Sequence, residues 1–185
     1  MHMAFAIPAV DPRAYWALFG IALLACAAPL LVLRRDGLAR TLRNVALAAI
    51  LVVPVIAALA YTLSDNDLRV EGDRIVLRAA HFYEQDRPLA DFDLERARAG
   101  SYASIGQARL GIRKNGIGLP GYAAGRFAGP DKSAIFALLT DRSRVVYLPA
   151  RTGPALLFSV EQPERFLAAL RASAGVNAGA PAAPG

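Results

Sequence analysis

The sequence predicts an α+β protein: an N-terminal two-helix transmembrane hairpin, then an antiparallel β-barrel or sandwich capped by one C-terminal α-helix. Three observations predict it. Two uncharged apolar runs, residues 14–33 and 45–63, flank a short basic stretch. From residue 68 the chain changes to short alternating segments broken by turn residues. Residues 163–173 then carry apolar side chains at helical spacing.

Each run is about 20 residues, and about 30 Å of helix matches the hydrocarbon core of a bilayer. The backbone finds no water there, so a helix is the single-segment solution. Neither run contains Asp, Glu, Lys, Arg or His. Ion and proton pathways keep such residues, so these helices are expected to anchor, not transport. Pro29 and Pro54 should kink them. Residues 34–44 read as a basic inter-helix turn holding Arg34, Arg35, Arg40 and Arg43. The positive-inside rule makes that turn cytoplasmic and leaves the N-terminal arm, 1–13, and the folded remainder outside. Tyr15, Trp16 and Tyr61 fall at the outer interface, which suits their amphipathic rings.

Cys26 is the only cysteine, which excludes an intrachain disulfide and a cysteine-based metal site. It follows Leu23-Leu24-Ala25 in a loose lipobox, but the run stays apolar to Leu33, against a lipoprotein cleavage site. The net charge of +6 is spread along the chain with signs interspersed beyond the hairpin. That is an ordinary solvated surface, and no nucleic-acid partner is expected.

The soluble part is expected over 67–173. Strands are expected at 68–70, 74–78, 81–86 and 89–94, with Glu71-Gly72-Asp73 as the first turn. Leu110–Lys114 should meet Asn115-Gly116 as a hairpin turn, the strongest such pair in the chain. Further strands are expected at 117–127, 134–140, 145–148 and 156–160, with Asp141-Arg142-Ser143 as a turn. Ser159-Val160-Glu161-Gln162 has capping-box spacing, and Pro163 suits a first helical turn. Phe166, Leu167 and Leu170 then share one face, which should bury against the sheet. Residues 174–185, rich in Ala, Gly and Pro, read as a disordered tail.

Strands followed by one amphipathic helix is the element order of a pleckstrin-homology-like barrel, whose helix plugs one open end. The residues carry the likeness further. Gly121-Tyr122-Ala123-Ala124-Gly125-Arg126-Phe127, 134–147, Leu157-Phe158-Ser159 and Gln162–Leu167 resemble the second half of a bacterial pleckstrin-homology (PH) domain. The resemblance covers 111–172 and extends loosely to 68–98. It implies a PH-like fold and a setting in the bacterial inner membrane, not a reaction. The phosphoinositide site of the wider fold does not carry over, because the corresponding first loop is the acidic Glu71-Gly72-Asp73.

The function expected is a membrane-tethered, non-enzymatic interaction module that binds another protein at an exposed sheet edge or peptide-accepting groove. The alternative is anionic lipid or small-anion binding through Arg113, Lys114 and Arg126. No catalytic constellation, cofactor or metal site is expected. His81 near Glu84 reads as a surface or capping residue. Asp91, Asp93 and Glu95 should share one strand face as solvated charge, since a calcium loop needs tighter spacing around a glycine. The partner's identity and the oligomeric state are not encoded in any motif.

Overall fold

The computed structural model describes residues 2–178. Among these, the first element is a strand: β1 (His2–Phe5) precedes the helices. Helix α1 (Pro12–Ala27) runs into a 3-10 turn at Ala28–Val32 and the short α2 (Leu33–Asp36). Gly37 breaks the chain at φ +76°, and α3 (Leu38–Ser64) returns. Strands β2 (Asp67–Glu71), β3 (Arg74–Ala79) and β4 (Tyr83–Pro88) follow. Then come β5 (Arg98–Gly100), β6 (Arg113–Leu119), β7 (Tyr122–Ala128), β8 (Ala134–Leu139), β9 (Val145–Leu148), β10 (Ala155–Ser159) and α4 (Pro163–Ala178).

The N-terminal arm is therefore part of the domain. β1 pairs antiparallel with β2, Met3 opposite Val70 and Phe5 opposite Leu68. Both helices of the hairpin are thus an insertion in the β1–β2 connection, and the two feet of the hairpin stand on the same domain. The two apolar helices, Pro12–Arg35 and Leu38–Ser64, are long and apolar enough to cross a membrane, and almost none of their surface is buried. At their feet, Ala14, Leu18 and Leu63 are buried in the domain's own core. Residues 34–44 are not an open turn, because helix continues to Asp36 and restarts at Leu38. Thr41 steadies the restart by donating its hydroxyl to Gly37 O at 2.9 Å. Pro29 shifts α1 into 3-10 geometry, whereas Pro54 is accommodated within α3.

Among the described residues the strands form two sheets and no closed barrel. One is antiparallel, in the order β1-β2-β3-β4. The other runs β5-β9-β10-β8-β7-β6, with β8 and β10 parallel, which corrects the all-antiparallel expectation. One core lies between them: Leu68, Val70, Ile75 and Leu77 from the first sheet meet Tyr122, Phe136, Leu138, Val146 and Phe158 from the second. Phe166, Leu167 and Leu170 of α4 plug this core, as their spacing predicts. A second core covers the far face of the larger sheet, where Ile105, Ala108 and Leu110 pack on Phe127, Ile135, Leu139 and Leu157. Burial on both faces explains why β8, β9 and β10 are nearly continuous apolar runs.

Three local expectations are corrected. Asn115-Gly116 lies inside β6, and the hairpin turns instead at Pro120-Gly121, with Leu119 opposite Tyr122 and Gly121 at φ +80°. Proline cannot donate to the ladder and a glycine takes the left-handed position, so this pair ends the strand. Residues 89–94 form a 3-10 turn, Leu89–Asp91, and a single bridge from Phe92 to Ala150. Helix α4 runs through Ala178, past the expected start of the tail, and residues 179–185 lie outside the described ones.

Candidate functional site: the groove between β1 and α4

Sheet edges are where a chain can accept another strand. The edges here are β1 and β4 of the smaller sheet and β5 and β6 of the larger. β4 carries Glu84, Asp86, Arg87 and Pro88; β5 is three residues long and begins at Arg98; β6 carries Arg113 and Lys114 beside a bulge. Charge, proline, shortness and bulges all blunt an edge. β1 is also short, four residues, but Met3-Ala4-Phe5 carries no charge, no proline and no bulge.

That edge borders a groove of about 510 Å³, lined by Met3, Phe5, Ala6, Val160, Phe166 and Ala169 among others. Its floor is aromatic. Phe166 meets Phe5 and Phe158 edge-on, at centroid distances of 4.7 and 5.3 Å. Its rim is polar, with Arg165 donating to Gln162 Oε1 at 3.1 Å. One end is closed where Glu161 N donates to Ala6 O at 3.0 Å. The Arg144 guanidinium fixes Glu161 and also donates to Asp141 at 2.8 Å. Burial alone would raise the Asp141 carboxyl, but hydrogen bonds from Ser143 and Arg144 outweigh it and hold it below its usual range. Ser159, expected to cap α4, instead serves the end of β8. Its hydroxyl accepts from Thr140 N and Asp141 N, both at 3.1 Å, and donates to Asp141 O. The helix starts from Gln162, whose carbonyl takes the Phe166 amide at 2.9 Å.

The sequence-expected basic residues do come together. Asn115 stands opposite Arg126 and Arg113 opposite Phe127, which puts Arg113 and Lys114 on the edge strand β6 and Arg126 on its inner neighbour β7. All three are exposed. The Pro120-Gly121 turn packs against Asp11 at the hairpin's foot, so Arg113 stands about 20 Å farther along the strand.

The other candidates have structural partners. His81 Nδ1 lies 2.5 Å from Asp65, not beside Glu84, which takes Arg78 at 3.3 Å. Asp91 is held by Arg87 at 2.7 Å, and that hydrogen bond lowers its carboxyl from the ordinary range. Asp93 accepts from Arg96 N at 3.3 Å, so the acidic trio does not share a strand face. Among the described residues no group of three or more His, Cys, Asp or Glu is placed to hold a metal ion. At the foot of α3, Asn66 accepts from Tyr122 OH at 3.2 Å and from Ala80 N at 3.0 Å. Burial pushes the Tyr122 phenol well above its usual range.

The family model described as the bacterial PH domain matches residues 100–174. A PH-like domain is present. The match takes in β6 to β10 and most of α4, and leaves out the smaller sheet and the hairpin. No curated protein and no solved structure matches the chain. The sequence reading missed β1 as an element. Its signal is the alternation Met3, Phe5, Ile7, which is too short to read beside a long apolar helix.

Proposed function

We infer that the chain is a membrane-tethered, non-enzymatic module of the bacterial inner membrane, whose PH-like domain binds an extended segment of another protein. The observation that carries this reading is the β1 edge, free of charge, proline and bulge over Met3–Phe5, facing an apolar groove. An extended peptide laid there continues the smaller sheet through main-chain hydrogen bonds, and alternate side chains drop toward Phe5 and Phe166. The hairpin spans the bilayer, its Arg-rich tip is cytoplasmic, and the domain faces the extracytoplasmic side.

A photo-crosslinking residue at Gln162, on the groove's rim, tests the site in intact cells. It is expected to capture a discrete protein, and Ala169→Arg, which fills the groove, is expected to abolish capture without lowering the melting temperature appreciably. The rival anion site has its own arm. Binding of the purified full chain to anionic vesicles, lost on changing Arg113, Lys114 and Arg126 to Ala while Ala169→Arg changes nothing, would replace this reading with lipid recognition.

A further inference from the structure

Outside the helices, Phe82 and Ile112 are the large apolar side chains left most exposed among the described residues, at 66% and 75%. Phe82 has a particular setting. It stands in the turn between β3 and β4, where Ala80 and His81 both take positive φ, +51° and +62°. Side chains with a Cβ rarely adopt that conformation, and Asn-Gly is the usual choice for it. Ala80 in particular is no turn former, so the local sequence does not by itself account for the turn.

Contacts to the foot of α3 hold it. Ala80 N donates to Asn66 Oδ1 at 3.0 Å and His81 N to Asp65 O at 3.2 Å. The His81 ring meets the Asp65 carboxylate at 2.5 Å. Asp65 is the residue immediately after the last turn of α3. Strand β2 leads directly out of that helix, and β3 runs back along it, Asp67 opposite Arg78. The tip of the turn, with Phe82, therefore lies past the end of the sheet, level with the helix end. The same level carries exposed aromatics on both helices: Tyr15 and Trp16 on α1, and Tyr61 on α3.

We propose that the β3–β4 turn is a third membrane contact of the domain, with Phe82 inserted into the headgroup–acyl boundary beside the foot of α3. It rests on the reading that the hairpin spans a bilayer. Its partner is the lipid surface itself, continuous with the apolar girdle of the two helices. Aromatic rings concentrate at that depth because an apolar ring is taken from water without entering the hydrocarbon centre. Three points of contact fix the tilt of the domain, where two helix feet alone leave a hinge axis. The His81–Asp65 and Asn66 contacts hold the turn in register with the helix end.

The experiment uses the full chain in phosphatidylcholine vesicles with and without brominated acyl chains. Trp16 is the natural single tryptophan and reports the hairpin's foot. Phe82→Trp in a Trp16→Phe background reports the turn. The indole introduced at position 82 is expected to lose about half its fluorescence in brominated lipid and to resist aqueous iodide, as an interfacial ring should. Quenching of Trp16 with no quenching at position 82, and full iodide access there, would overturn the proposal while leaving the hairpin in the bilayer. Absence of quenching at both positions would overturn the membrane reading and the proposal with it. A nitroxide on Phe82→Cys in a Cys26→Ala background gives an independent depth from oxygen against nickel accessibility. A depth in bulk water would equally overturn the proposal.

Discussion

Phe5 stands edge-on to Phe166, their ring centroids 4.7 Å apart, and so joins the segment before the hairpin to the helix that closes the domain. Phe166 is fully buried, and Phe166→Ala is expected to cost about 3–5 kcal/mol through lost transfer energy and the cavity left behind. Phe5 is only partly buried, so Phe5→Ala should cost less. Their coupling in a double-mutant cycle on the detergent-solubilised full chain should be about 0.5–1.5 kcal/mol. Additive losses would show that the two rings act separately.

Two buried hydroxyls, Ser159 and Thr140, should respond in opposite ways. Ser159→Ala strands the amides of Thr140 and Asp141, and about 1–3 kcal/mol of stability should go with them. Among the described residues Thr140 Oγ1 is buried with no hydrogen-bond partner. Thr140→Val removes that orphan with little change of shape, so the unfolding midpoint should hold or rise. A fall of similar size in both variants would mean that Thr140 has a partner.

Arg87 joins the two sheets. Its side chain, 12% exposed, donates to Asp91 and to Pro154 O at 2.7 Å and lies 4.6 Å from the centre of the Phe92 ring. Arg87→Lys keeps the charge but loses the fork, so it should recover little of the stability lost in Arg87→Ala. The pH dependence has a definite sign. Asp91 is depressed in the fold by its hydrogen bond from Arg87, so its contribution is full above the unfolded carboxylate value of about 3.9 and is lost as pH falls through the lower folded value. The difference between wild type and Arg87→Ala should therefore be flat near neutrality and shrink only in acid. A difference that grows in acid would reverse the assignment.

The side of the membrane can be read directly. Ser143 is exposed in the turn between β8 and β9. Ser143→Cys in a Cys26→Ala background should react with a membrane-impermeant thiol reagent in spheroplasts. Labelling only after lysis would place the domain in the cytoplasm and invert the hairpin.

Signals that owe little to tertiary contacts were legible. Long uncharged runs marked both helices, and Phe166, Leu167 and Leu170 marked the buried face of α4, because periodicity survives whatever partner is found. Competing local signals were not. Asn115-Gly116 and Pro120-Gly121 are rival turns close together, and β6 runs through the first. Gly116 faces Gly125 just past the bulge at Arg113–Asn115, where a Cβ on Gly125 would lie 2.4 Å from Asn115 O. Those glycines serve close backbone approach, which a sequence cannot separate from turn-making. Ser159 offered capping-box spacing, yet the tertiary fold puts its hydroxyl beside the end of β8. The groove was legible only as a kind of site. One wall of it is β1, four residues whose partner strand lies beyond the whole hairpin.

The central claim is that the hairpin is inserted within the domain, with β1 before it and β2 after it, leaving β1 as the open edge. Hydrogen exchange of the full chain in nanodiscs, read by mass spectrometry on the N-terminal peptide, tests this most directly. The amides of Met3, Ala4 and Phe5 that face β2 should exchange slowly, with protection approaching that of β2, while those facing the groove exchange faster. Exchange of the whole segment at the rate of an unstructured peptide would contradict the account, leaving neither a β1 strand nor a groove beside it.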